Sequence, residues 1–168
     1  LYAKLKDKMK PKCFILDVDG VVTSGQFLYS ENGKKYKIFG PDDTDALNIL
    51  KSYLQIQFIT ADKRGFDISK KRIVDDMGYD LELVGARHRI KWLSSKWDLN
   101  DVIYMADGIW DGLIFNKVKL GIAPQNAFYK TKEMAHFVTK HKSGDRAVAE
   151  AVIYILENYF DKKFLELD

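Results

Sequence analysis

The stretch FILDVDGVVTSG, residues 14–25, ends a short apolar run with two aspartates that lie one residue apart. Residues 13–16 are continuously apolar, which predicts a strand buried on both faces. Asp17 and Asp19 stand where this strand ends, and a carboxylate there costs free energy unless a partner offsets its charge. Gly20 and Gly25 free the chain to leave the sheet. The stretch therefore predicts a polar site at the carboxyl end of a buried strand.

Short apolar runs alternate with helical patterns along the rest of the chain. Two β-prone runs, residues 26–29 and 35–39, flank Asn32-Gly33 and predict a β-hairpin after the first strand. Beyond it, the alternation predicts an α/β fold with a parallel sheet covered by helices on both faces. Further strands are predicted at residues 56–60, 81–84, 102–105, 120–123 and 136–139, and helices at residues 46–54, 66–77, 90–97, 112–116, 127–134 and 145–160.

Length and composition are typical of one ordinary globular domain. The chain has 168 residues, of which 46% are hydrophobic and 30% charged, and its net charge is +3. Much of the basic excess precedes the first strand, so we expect a basic arm over residues 1–10, a folded domain over 11–160 and a tail over 161–168, with no nucleic-acid surface.

Cys13 is the single cysteine, and we expect it in the core. The lack of a second cysteine favours a reducing, cytoplasmic location. We find no signal peptide and no long apolar run, and therefore expect no membrane segment.

Polar residues follow four of the predicted strands. Asp17 and Asp19 follow the first, Thr60-Ala61-Asp62 the second and Asp107-Gly108 the fourth, with Asp111 close behind. Three cations, Arg87, Arg89 and Lys91, follow the third. Ligands of open parallel sheets bind beyond the carboxyl ends of the strands. The sequence thus predicts that acids, a hydroxyl and a cation meet at one edge of the sheet.

Three acids held together repel one another and require a cation. Oxygen ligands from Asp17, Asp19 and Asp107 suit Mg²⁺, which usually also takes waters and a substrate phosphate. An ionised Asp17 would attack a phosphoryl group as a carboxylate nucleophile. Asp19 would protonate the leaving group and then deprotonate the attacking water. The Thr60 hydroxyl and a cation would bind the phosphoryl oxygens.

These residues resemble the four motifs of the haloacid dehalogenase (HAD) phosphatase superfamily. The matching features are Asp17-Val18-Asp19-Gly20-Val21, Thr60 after a strand, a basic residue at a helix start, and the late Asp107. The segments ENGKKYKIFGPDDTDAL and SGDRAVAEAV resemble one branch more closely. That branch contains the 3-deoxy-D-manno-octulosonate 8-phosphate phosphatases and the phosphatase-like domains attached to some acylneuraminate cytidylyltransferases. The resemblance spans about residues 11–160.

The resemblance implies a Rossmann-like core without a large cap domain, a homotetramer, and Mg²⁺-dependent hydrolysis of a sugar-acid phosphate through an aspartyl-phosphate. It implies that the hairpin over residues 26–39 mediates assembly and that a tail near residues 142–146 reaches a neighbouring subunit's site. The implied roles are nucleophile for Asp17, acid/base for Asp19, and phosphate binding for Thr60 and the following backbone amides from Ala61. The implied metal ligands are Asp17, Asp107 and the backbone carbonyl of Asp19. The implied phosphate-binding cation is Arg89, with Arg87 and Lys91 as close rivals.

The chain departs from the family pattern at four places. Thr60-Ala61-Asp62 stands where the family usually has Thr-Gly-Arg, and arginine stands at the lysine of the third motif. An arginine still binds phosphate, but its planar fork is not equivalent to an ammonium. Ala106-Asp107-Gly108 replaces Gly-Asp-Asp, and Ser143-Gly144-Asp145-Arg146 replaces Gly-Gly-x-Gly. These departures leave Asp17, Asp19 and Asp107 in place.

Other residues have two readings. Asp111 is either a helix cap or a residue that orients the basic group. The three aspartates at 42, 43 and 45 are predicted to cap a helix, although Asp43 matches a recurrent family acid. The three histidines lack metal-ligand spacing, and Trp92 and Trp97 are predicted to pack in the core. Tyr36 and Phe39 are predicted to form a hairpin interface.

Three other functions compete with hydrolysis. A transferase or mutase would use the same aspartyl-phosphate but would move phosphate rather than release it. The receiver domain of a signalling protein would carry its phosphorylated aspartate after the third strand, where this chain has Val84-Gly85. The departures at Ala61, Arg89 and Gly108 motivate a weakly active or non-catalytic tetramerising domain, associated with a cytidylyltransferase fused upstream.

Overall fold

A six-stranded parallel sheet forms the centre of the fold, in a computed structural model that describes residues 9–164. Its order is β5-β4-β1-β6-β7-β8, and β2 and β3 form a separate antiparallel hairpin. The strands are β1 Cys13–Asp17, β2 Thr23–Ser30, β3 Gly33–Phe39, β4 Gln55–Thr60, β5 Asp80–Leu83, β6 Val102–Met105, β7 Leu120–Ala123 and β8 Phe137–Val138. The α-helices are α1 Asp43–Leu50, α2 Phe66–Lys70, α3 Arg89–Lys96, α4 Gly112–Phe115, α5 Tyr129–Met134 and α6 Ala147–Tyr159, and π-helical turns over Lys71–Asp76 extend α2. The predicted α/β fold is confirmed, and the described residues contain no large cap domain.

Helices cover both faces of the sheet, as predicted. One buried apolar cluster joins the sheet to α1 and α6, and a second joins it to α3 and α4. β1 supplies residues to both clusters, which explains its unbroken apolar sequence: Phe14 and Leu16 face one cluster and Cys13 and Ile15 the other. The expectation that Cys13 is a core residue is confirmed.

β1 lies between β4 and β6, and this position determines where the candidate site forms. Asp17 is in register with Ile59 of β4, and Leu16 is in register with Met105 of β6. The next residues of these two neighbours are Thr60 and, after one more position, Asp107. The parallel register therefore brings the three predicted functional groups to one edge of the sheet.

The hairpin is longer than predicted and does not join the main sheet. Ser30 pairs with Gly33 across a two-residue turn formed by Glu31 and Asn32. Tyr36 is 66% exposed, so it is available to an interface. Phe39 is instead half-buried against the main core of its own chain, and the prediction that it forms a hairpin interface is not supported.

The aspartates before α1 act differently from the predicted caps. Asp42, in a left-handed conformation, makes no capping bond with its side chain and instead accepts from Arg146 Nε at 2.6 Å. Asp43 is buried, and its Oδ1 accepts from the backbone N–H of Ala149 at 2.9 Å. It therefore caps α6, the last helix, rather than the helix it begins. Sequence spacing could not reveal a cap that joins residues 106 positions apart.

Asp43→Ala is expected to lower the free energy of unfolding by about 1–2 kcal/mol, because the first turn of α6 loses its side-chain cap. Urea unfolding followed by circular dichroism measures this change. Asp45→Ala is the matched control, since Asp45 is exposed on the same helix and should change stability by less than about 0.5 kcal/mol. Equal effects of the two variants would contradict the role of Asp43.

The segment over residues 142–146 packs against its own chain. The Gly144 N–H donates to the Val21 carbonyl at 3.1 Å, and Ser143 is buried. A Cβ at Gly144, whose φ is +65°, would lie 2.4 Å from the Ser24 nitrogen, so only glycine fits there. Ser143 and Gly144 therefore contact their own chain. The implied contact of this segment with a neighbouring subunit stays a prediction.

Parts of the predicted arm and tail lie outside the described residues. They are residues 1–8 of the basic arm and residues 165–168 of the tail. Within residues 9–164, none of the helices combines the length and apolar character required to cross a bilayer.

Candidate active site

The two aspartates of the opening stretch occupy different surroundings at the end of β1. Asp17 is buried; its Oδ1 accepts from the Val18 N–H at 2.8 Å and its Oδ2 from Arg89 Nη1 at 2.7 Å. Asp19 is half-buried and its Oδ2 accepts from the Thr60 hydroxyl at 3.2 Å. Both predicted catalytic carboxylates therefore reach the site edge, one held by the buried cation Arg89 and one beside a strand-end hydroxyl.

Of the three candidate cations, Arg89 is the one that contacts the acids of the site. It lies at the start of α3, is buried, and donates from Nη1 to Asp17 at 2.7 Å and to Asp111 Oδ1 at 2.9 Å. Arg87 instead stacks on the exposed Trp110 ring, 4.8 Å from its centroid. Lys91 is exposed, and the prediction that it binds substrate is not supported. A side chain two residues further along a helix points about 200° away, which explains why Arg89 and Lys91 differ.

Asp111 orients Arg89 rather than capping a helix. Its Oδ1 accepts from Arg89 and, at 2.7 Å, from the buried Tyr104 hydroxyl, while its Oδ2 accepts from the Gly108 N–H at 2.9 Å. It makes no capping bond to α4 with its side chain. Of the two interpretations left open for Asp111, its contacts agree with the one in which it orients the basic group. Tyr104 also belongs to this cluster. The sequence did not indicate its membership, because Tyr104 lies in a buried strand.

One nitrogen of the Arg89 guanidinium is buried without an acceptor in the described part of the chain. Its Nε is buried and has no hydrogen-bond partner among the described residues. A lysine has three donors on one atom, whereas the guanidinium spreads five over a rigid fork. An unsatisfied buried donor costs about 1–3 kcal/mol, which is the structural consequence of this departure.

Three carboxylates lie together beside the buried Arg89. Oxygens of Asp17, Asp107 and Asp111 lie within 4.8 Å of one another. Burial raises the pKa of Asp17 to about 6, against the lowering effect of Arg89. Burial and then the charge of Asp17 raise the pKa of Asp107 to about 7. An oxygen-only, electron-rich cluster of this kind fits a hard divalent cation such as Mg²⁺.

Gly20 shapes the loop against which Asp107 lies. Its φ is +76°, and a Cβ there would lie 2.0 Å from Asp107 Oδ2. A larger residue would displace the carboxylate from the cluster. The glycine of Asp-x-Asp-Gly therefore has a packing reason beyond allowing the chain to leave the sheet.

The hairpin contributes a lysine that the sequence did not indicate. The Lys37 ammonium is fully buried, lies 2.8 Å from Asp19 Oδ1, and donates to Asp19 Oδ2 at 2.9 Å. In the sequence KKYK, residues 34–37, nothing distinguishes Lys37 from the exposed Lys35. Only the packing of the hairpin against the loop after β4 separates them.

Asp62, at a departure from the family pattern, pairs with this hairpin. Its Oδ2 lies 2.5 Å from Lys34 Nζ and 2.9 Å from Lys37 Nζ. Burial opposes its ionisation, but the hydrogen bonds from Lys34 and Lys37 lower its pKa to about 2. Ala61, between Thr60 and Asp62, is exposed at the start of the same loop. An acid where the family usually has arginine is thus balanced by two lysines of β3.

No family model matches the chain, but curated relatives do. A 3-deoxy-D-manno-octulosonate 8-phosphate phosphatase of Escherichia coli K12 is 28% identical over 158 residues, which are 86% of this chain and 79% of the relative. A phosphoglycolate phosphatase of Methanosarcina mazei is 28% identical over 112 residues, which are 57% of this chain. The match covers 49% of that relative's length.

Solved structures have the same fold. An HAD-superfamily (subfamily III A) hydrolase of Legionella pneumophila is 27% identical, with a TM-score of 0.76 over 94% of this chain and 87% of that one. A 3-deoxy-D-manno-octulosonate 8-phosphate phosphatase of Moraxella catarrhalis, crystallised with a magnesium ion, a phosphate ion and a KDO molecule, is 22% identical and has a TM-score of 0.76 over 94% and 91% of the two chains. The resemblance to HAD phosphatases that the motifs indicate is confirmed by these neighbours.

Proposed function

We propose, from the premise that this chain has the fold and the acidic motifs of the HAD-superfamily hydrolases, that it is a Mg²⁺-dependent phosphomonoesterase. Its substrate would be a phosphate ester of a small sugar acid, such as an octulosonate or nonulosonate phosphate. The observation that carries the proposal is the cluster of Asp17, Asp107 and Asp111 around Arg89 at the carboxyl edge of the sheet. Such a cluster has an excess of negative charge that a bound cation would offset.

The metal would be held by Asp17, Asp107 and the backbone carbonyl of Asp19. Asp111 suits a supporting role, because its oxygens accept three hydrogen bonds, from Arg89, the Tyr104 hydroxyl and the Gly108 N–H, one more than the Asp17 oxygens accept. Bound Mg²⁺ would neutralise the charge of the phosphoryl oxygens and of the two carboxylates. The Moraxella relative, whose crystals contain magnesium and phosphate, supports this choice of ion.

Asp17 and Asp19 divide the chemistry. An Asp17 oxygen attacks phosphorus, and the bond from phosphorus to the ester oxygen breaks while Asp19 gives a proton to that oxygen. Asp19 then takes a proton from water, whose oxygen attacks the aspartyl-phosphate and releases inorganic phosphate and Asp17. The Val18 N–H and the Arg89 guanidinium orient the Asp17 carboxylate for attack.

Thr60 and Arg89 would bind the phosphoryl oxygens. Thr60 lies at the end of β4, and its hydroxyl also accepts from the Asp62 N–H at 3.0 Å, which orders the loop beside it.

The sugar-acid substrate class rests on the relatives of Escherichia coli and Moraxella, which are named for that substrate. We further propose a homotetramer, and five exposed apolar side chains of the hairpin are consistent with an interface: Phe27, Leu28, Tyr29, Tyr36 and Ile38.

Phosphate release from a panel of sugar phosphates, with and without Mg²⁺, tests the proposed function. We expect release that depends on Mg²⁺ and is fastest with a phosphorylated sugar acid. Non-acidic sugar phosphates serve as controls for the substrate class. A folded protein that releases no phosphate from any ester would support the non-catalytic tetramerising domain, and transfer of phosphate between positions of one sugar would indicate a mutase.

A further inference from the structure

We propose that Lys37 is a positioning residue for Asp19, so that the hairpin forms part of the candidate active site of its own chain. The proposal rests on the proposed function, in which Asp19 protonates the leaving group. In this role Lys37 holds Asp19 in place and does not itself bind the transferring phosphoryl group.

Three residues surround the Lys37 ammonium, one for each of its three protons. Its Nζ donates to Asp19 at 2.9 Å and to the Ser69 hydroxyl at 2.7 Å, and it lies 2.9 Å from Asp62 Oδ2. The side chain is 0% exposed, so the desolvated charge would be costly without these partners. Three acceptors arranged around one buried cation leave it a single favourable position.

Lys37 is fixed by groups that do not depend on Asp19. Ser69 is buried and its hydroxyl donates to the Gly65 carbonyl at 3.3 Å, so its oxygen faces Lys37 as an acceptor. Asp62 is held in turn by Lys34 and by the Gly65 N–H, which donates to Oδ1 at 3.1 Å. The ammonium is therefore an anchor set by the loop after β4 and by α2, against which the Asp19 carboxyl is placed.

Asp19 depends more on Lys37 than on its other donor. Thr60 holds it through one hydrogen bond of 3.2 Å, whereas Lys37 approaches both oxygens, at 2.8 and 2.9 Å. The Thr60 hydroxyl would also turn to a phosphoryl oxygen when substrate binds, which removes a restraint from Asp19 at the moment of reaction. Lys37 is the partner that remains to keep the carboxyl beside the leaving group.

The charges of the side chains around Lys37 balance one another. Lys34 and Lys37 of β3 face Asp19 and Asp62, two cations against two carboxylates. The neutral balance allows a lysine to lie beside the site without adding net charge to it. It also explains in physical terms why an aspartate is tolerated at position 62.

Hydrolysis of two aryl phosphates by Lys37→Met tests the proposal, because the esters differ in their need for a proton. Phenyl phosphate expels a basic phenolate and requires the acid, whereas 2,4-dinitrophenyl phosphate expels a stable anion without it. The kcat/KM value reports the steps up to loss of the leaving group. We expect kcat/KM to fall about 100-fold for phenyl phosphate and less than about 5-fold for the dinitrophenyl ester, within the range of general acid catalysis.

Lys35→Met is the matched control, since Lys35 is exposed on the same strand, and it should leave both esters unaffected. Equal losses for the two esters with Lys37→Met, or no loss, would overturn the inference while the phosphatase function stands. If the wild-type protein releases phosphate from neither aryl ester and from no sugar phosphate of the panel, the proposed function fails instead. Thermal unfolding checks the fold of Lys37→Met. If that variant does not fold, Asp62→Asn weakens the anchor and should reduce phenyl phosphate hydrolysis selectively by roughly 10-fold, and an equal change for both esters would overturn the inference.

Discussion

Asp17→Asn is expected to lower the rate of phosphate release more than about 1,000-fold. The amide keeps the size of the side chain but lacks the negative oxygen that would attack phosphorus. Phosphate release from the sugar phosphate that the wild-type protein hydrolyses fastest measures the loss. A variant that keeps more than a tenth of the wild-type rate would remove Asp17 from the role of nucleophile.

The same variant should not lose stability in the absence of Mg²⁺. Burial raises the pKa of Asp17 to about 6, so at pH 8 the protein holds this carboxylate ionised against its surroundings. An uncharged amide avoids that cost, which offsets the loss of one of the two hydrogen bonds that Asp17 accepts, and Arg89 keeps Asp111 as a partner. Asp75→Asn, an exposed substitution on the helical segment after β4, is the control and should retain full activity.

Asp107→Ala is expected to weaken Mg²⁺ binding more than 10-fold at pH 8, because the metal loses one of two carboxylate ligands. Calorimetric titration with MgCl₂ measures the affinity. Asp75→Ala removes an exposed carboxylate and should bind Mg²⁺ like the wild-type protein. An unchanged affinity in Asp107→Ala would remove this residue from the metal site.

Mg²⁺ binding should also depend on pH in a predictable direction. Burial, and then the charge of Asp17, raises the pKa of Asp107 to about 7 in the metal-free protein, so below pH 7 the cation must displace a proton. We expect the wild-type affinity to be about tenfold lower at pH 6 than at pH 8. Titration in two buffers of different ionisation enthalpy should show proton release at pH 6 and little at pH 8.

The raised pKa values also set the pH dependence of stability. The native metal-free protein binds more protons at Asp107 and Asp17 than the unfolded chain does between about pH 4 and pH 7. Its stability should therefore fall as the pH rises through this window. Mg²⁺ should restore the loss at pH 8, since it binds the native state with both carboxylates ionised.

The sheet and its edge could be predicted because they depend on local periodicity. Continuous apolar runs identify strands buried on both faces, and the residue after each strand is then assigned to one edge of a parallel sheet. This argument was sufficient for Asp17, Asp19, Thr60 and Asp107. It was not sufficient to choose between Arg87, Arg89 and Lys91, because the choice depends on the direction of each side chain around the start of α3.

Contacts between distant segments could not be predicted in the same way. Asp43 belongs by its spacing to the start of α1, yet it caps α6, because the two helices pack together on one face of the sheet. Phe39 lies in the hairpin but is buried against the main core. Neither partner lies within the few residues over which periodicity carries information.

The sequence by itself determined the fold class, the edge at which the site forms and the chemical character of its acids. These follow from residue type and spacing along single strands. The tertiary structure alone decided that Arg89 contacts Asp17, that Asp111 orients Arg89, and that Lys37 and not Lys35 lies beside Asp19. The physical reason is desolvation: a charge is stable inside the protein only where opposite charges surround it, and the packing of the hairpin and loops decides where that occurs.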